Sequence, residues 1–65
     1  MKFTVIEIQN GIVGANVWAY DDQNAAESKY HAILSSAAVS QVAVHAAVLV
    51  SEEGFPLMHG CYKHG

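Results

Sequence analysis

Val42-Ala43-Val44-His45-Ala46-Ala47-Val48-Leu49-Val50, then Ser51-Glu52-Glu53-Gly54 and Phe55-Pro56-Leu57-Met58, is the stretch on which the fold turns. Its even positions, Val42, Val44, Ala46, Val48 and Val50, form an unbroken apolar series at period two, the pattern of a strand with a buried face. Glu52-Glu53-Gly54 fits a three-residue hairpin loop, a type I turn closed by glycine in the left-handed conformation. Such a loop pairs Ser51 with Phe55, Leu49 with Leu57, Ala47 with His59 and His45 with Cys61. The last strand, around Phe55 to Tyr62, is then expected to begin on a sheet edge, where the missing N–H of Pro56 points away from the neighbouring strand.

Working outward, Phe3-Thr4-Val5-Ile6-Glu7-Ile8 is rich in β-branched and aromatic residues and reads as a first strand ended by Asn10-Gly11, a dipeptide that tolerates a type I′ turn. Val17-Trp18-Ala19-Tyr20 is either the returning strand, with an irregular start at Gly14-Ala15-Asn16, or an ordered loop that carries Trp18 into the core. Asp21-Asp22 offers an N-cap, and the segment to about Ala38 lacks glycine and proline. There Ala26, Tyr30, Ile33, Leu34 and Ala37 recur at helical spacing and predict a stripe against the sheet. The expected fold is α+β: residues 1–65 as a single small domain, with one helix packed on a three- or four-stranded, mainly antiparallel sheet, β(β)αββ. The first strand is free to pair with either strand of the later hairpin.

Composition narrows the function. The 65 residues are 52% hydrophobic and only 14% charged, so apolar surface exceeds what a typical domain carries. Three lysines against six carboxylates leave a net charge of −3 and no basic stripe for a phosphate backbone, which argues against nucleic acid. A lone cysteine, Cys61, makes no intramolecular disulfide and fits a reducing compartment. Glu7 interrupts the first apolar run before it reaches signal-peptide length, and Val42 to Val50 is far shorter than a membrane span, so a cytoplasmic protein is expected.

In the expected register, Val44, Val48, Val50, Met58 and Tyr62 share the face beneath the helix. Ala43, His45, Ala47, Leu49, Leu57, His59 and Cys61 share the other, which is too apolar for comfortable exposure. That surplus predicts self-association as a homodimer, with Leu49, Leu57 and Ala47 at the interface. The leading expectation is a structural or protein-interaction module with no catalysis and no cofactor.

The second expectation is a small-ligand or transition-metal site, since His45, His59 and Cys61 fall on one face in this register and all three residue types bind such metals. Against it, the sequence holds no tight ligand motif such as Cys-x-x-Cys, and a shift of one residue in the hairpin separates the three. Cys61 with His45 also has the composition of a nucleophile and base, without an oxyanion-hole motif to complete it. Glu27 and His31 lie four apart on the helix, a spacing more often found on a solvated flank than in an acid–base pair. Trp18 and Tyr20 read as rings that anchor the helix entry. Asp21-Asp22 and Glu52-Glu53 lack the alternating oxygen ligands of a calcium loop.

Ile6-Glu7-Ile8-Gln9, the block from Tyr20 to His31, and Val44-His45-Ala46-Ala47-Val48-Leu49 together resemble a group of short uncharacterised bacterial proteins, some of them phage-associated. The resemblance implies a bacterial origin and carries no site residue with it. In element order the chain is also similar to small α+β proteins that dimerise through their sheets.

Overall fold

The computed structural model describes residues 2–64 and consists of β1 (Phe3–Gln9), β2 (Val17–Tyr20), α1 (Gln23–Ala38), β3 (Val44–Ser51) and β4 (Pro56–Lys63). The fold is α+β, a single helix on a four-stranded antiparallel sheet of order β2-β1-β3-β4. β1 therefore pairs with the Val42–Val50 segment rather than with the last strand, and β1 and β3 form the centre.

The segment before the helix resolves as a strand. Asn10 and Gly11 both take positive φ, 53° and 81°, as a type I′ turn demands, and Gln9 and Ile12 exchange backbone hydrogen bonds of 3.0 Å across it. The chain then bulges through Val13 to Asn16, with Gly14 at φ 58°, before Val17 to Tyr20 settle against Ile6 to Phe3. Asp22 caps α1 through Oδ1, which accepts the Asn24 N–H at 3.3 Å.

The expected stripe faces the sheet: Ala26, Tyr30, Ile33 and Ala37 are buried, and Leu34 packs beside them. With Val5, Ala47 and Leu49 from the central strands they form the core, which Phe3, Trp18, Tyr20 and Met58 extend. The Lys29 ammonium lies 4.1 Å from the centre of the Trp18 ring, a cation–π contact that seats the helix on β2.

The second hairpin begins as the sequence predicts. Gly54 takes φ 82°, Ser51 N–H donates to the Phe55 carbonyl at 2.9 Å, and Val50 pairs with Pro56. Then a β-bulge intervenes: Leu49 pairs with Met58, so Leu57 is the extra residue. Every later pairing moves by one, giving Val48 with His59, Ala47 with Gly60, Ala46 with Cys61 and His45 with Tyr62.

The bulge corrects the face assignment of β3. Met58 lies on the helix side, as expected, but its partners there are Leu49, Ala47 and His45 instead of the even valines. The proposed interface residues Leu49 and Ala47 are in fact 0% and 1% exposed, in the core; of the three, only Leu57 is exposed. Both faces of β3 are apolar, so period two does not choose between them; side-chain size does. Ala47 opposite Gly60 makes a shallow place for the large helix residues, and a Cβ on Gly60 would come within 2.8 Å of Leu34 Cδ1 and 3.1 Å of the Tyr30 hydroxyl.

Leu49→Ala is expected to cost about 2–4 kcal/mol, as for a fully buried leucine, while Leu57→Ala changes stability by less than about 1 kcal/mol. Urea denaturation of the two variants checks this, and equal losses would contradict the bulged register.

Candidate functional site

Antiparallel partners share a face, so the register divides the sheet into two surfaces. Phe3, Val5, Glu7 and Gln9 of β1 join Trp18, Tyr20, His45, Ala47, Leu49, Met58 and Gly60 on the side of the helix. The opposite surface is formed by Thr4, Ile6 and Ile8, flanked by Val17 and Ala19 on one side and by Val44, Ala46, Val48 and Val50 on the other, with His59, Cys61 and Lys63 along β4. The one helix among the described residues does not cover it. Its central side chains are half-buried by their neighbours, and Val17 and Val44, nearer its limits, are 46% and 37% exposed. No carboxylate stands on it within the strands.

The two edges of the sheet differ from this surface. β2 is only four residues long, and β4 carries Pro56 and the bulge at Leu57 in its first half, devices that discourage strand-to-strand pairing.

The metal-ligand expectation is corrected by the same register. His45 is buried under the helix at 4% exposure, whereas His59 and Cys61 are exposed on the other surface, so the sheet itself separates them. No group of three metal-binding side chains exists among the described residues. Cys61 is likewise removed from His45 as a base; its Sγ lies 3.9 Å from the Tyr62 carbonyl oxygen.

His45 has a different partner, one that sequence reading overlooks. Its Nε2 is 2.5 Å from Glu7 Oε2, and Gln9 Nε2 donates to the same oxygen at 3.3 Å. A carboxylate only accepts, so Nε2 carries the proton. Nδ1 is buried without a hydrogen-bond partner among the described residues. The signal is present in the sequence: Glu7 and His45 are the only ionisable residues of their two strands. It becomes meaningful only once β1 is known to pair with β3.

The remaining candidates are structural. His31 meets Tyr30 edge-on, with ring centroids 5.2 Å apart, and Trp18 and Tyr20 pack against the core as anchors of the helix entry. His64 lies 2.8 Å through Nε2 from the Ala37 carbonyl oxygen, at the negative end of the helix, with its ring stacked on Tyr62. Burial, and then the neighbouring Tyr62, push the Tyr30 hydroxyl above the usual tyrosine value.

No protein-family model, curated protein or solved structure matches the chain. No helix among the described residues is long and apolar enough to cross a membrane.

Two outcomes follow. Glu7→Ala leaves the buried imidazole unpaired and is expected to cost about 1–3 kcal/mol in urea denaturation, most of it recovered when Glu7→Leu and His45→Leu are combined. Tyr30 is held protonated in the folded state, so above about pH 10 the unfolded chain loses its proton first and stability falls. Tyr30→Phe should reduce that fall, measured by denaturant midpoints on either side of pH 10.

Proposed function

We propose that this chain is a small structural or interaction module that self-associates through the open face of its sheet, with no catalysis of its own, in a bacterial cytoplasm. The observation that carries the reading is the row of Ile6, Ile8, Val44, Ala46, Val48 and Val50 across the two central strands, on the surface no helix covers. Contiguous apolar surface of this kind marks association in soluble proteins.

Its size suits a modest partner interaction. Four strands about 4.8 Å apart and near seven residues long span roughly 20 by 22 Å, on the order of 450 Å² of flat area per copy. Two such faces bury about 900 Å² before side-chain relief is added, the small end of specific interfaces. Two sheets packed about 10 Å apart would also give this 65-residue chain a second apolar layer, adding to the limited burial a domain of its size achieves alone.

Association that favours the folded state makes melting depend on concentration. The melting temperature is expected to rise between about 1 and about 100 µM protein, with a dimer in sedimentation equilibrium at the upper end. Val48→Lys, at the centre of the face, should abolish both effects while far-ultraviolet circular dichroism still reports the folded chain. A melting temperature independent of concentration, with a monomer throughout, would refute the proposal.

A further inference from the structure

Taking self-association through the open face as its basis, we infer that the partner is a second copy of this chain, laid face to face with its strands reversed. The two-fold axis then runs across the strands, between the sheets.

Charge decides the direction. The β3–β4 turn places Glu52 and Glu53 at one end of the sheet, where Asp21 and Asp22 follow β2 and Lys2 precedes β1. Lys63 stands at the opposite end, on the open face beside Val44, about 25 Å away along the strands. One end is thus net acidic, and the other presents Lys63 on the open face.

Two identical sheets can stack face to face about either in-plane axis. With the axis along the strands, like ends meet: the Glu52-Glu53 turn of one copy lies near Asp22 of the other, and Lys2 is a single cation among these carboxylates. With the axis across the strands, β4 lies over the partner's β4 with its ends exchanged. The Glu52-Glu53 turn then stands over the partner's Lys63, and the two-fold makes the contact twice. The net charge of the rim is complementary only in this arrangement, around an apolar centre that holds no carboxylate.

The experiment is a charge swap read by sedimentation equilibrium at low salt. Lys63→Glu should weaken the dimer roughly three- to tenfold, through two exposed contacts turned repulsive, and adding Glu52→Lys and Glu53→Lys should restore it. All three positions are exposed, so folding is preserved. Ala32→Glu with Ser35→Glu, on the outer face of α1, matches the net charge of Lys63→Glu and should weaken the dimer far less. A wild-type dimer that Lys63→Glu leaves unchanged or tightens would overturn the reversed arrangement and leave the interaction surface standing. A wild-type chain monomeric at every concentration would remove both.

Discussion

The Glu7–His45 pair bridges the two central strands on the helix side of the sheet, and much of the rest depends on it. β1 and β3 are apolar on both faces, so hydrophobic burial by itself resists a slipped register only weakly. A carboxylate and an imidazole joined under the helix change that. A slip of one residue would carry His45 to the open face and leave Glu7 without its partner, at a desolvation cost. The pair thus contributes more to choosing one structure than to the depth of its energy minimum.

With β1 and β3 aligned, the bulge at Leu57 completes the arrangement. It brings Gly60 opposite Ala47, and these two small residues let Tyr30 and Leu34 settle close to the sheet. Met58 and Leu49 fill the space beside them. The same shift sends His59 and Cys61 to the outer surface, and with them the prospect of a three-ligand site disappears.

Folding one helix onto one sheet leaves the second face of that sheet without cover. A contiguous part of the chain's surplus of apolar residues collects there, in Ile6, Ile8 and the even positions of β3, while most of the charge lies at the strand ends and on the helix. A binding surface of this kind arises from a shortage of secondary structure rather than from a dedicated motif. It therefore leaves no catalytic signature in the sequence.

What the sequence by itself determined was local. Asn10-Gly11, Asp22, Glu52-Glu53-Gly54 and the stripe from Ala26 to Ala37 marked the turns, the cap and the buried side of the helix, because each depends on backbone conformation or period within a few residues. The existence of a surplus apolar sheet face was legible for the same reason, from composition and alternation. Which face of β3 that was, and that Glu7 meets His45, only the tertiary structure decided. Both depend on pairing between strands 38 residues apart and on one extra residue at Leu57, and a period of two carries no sign that says which side the helix will take.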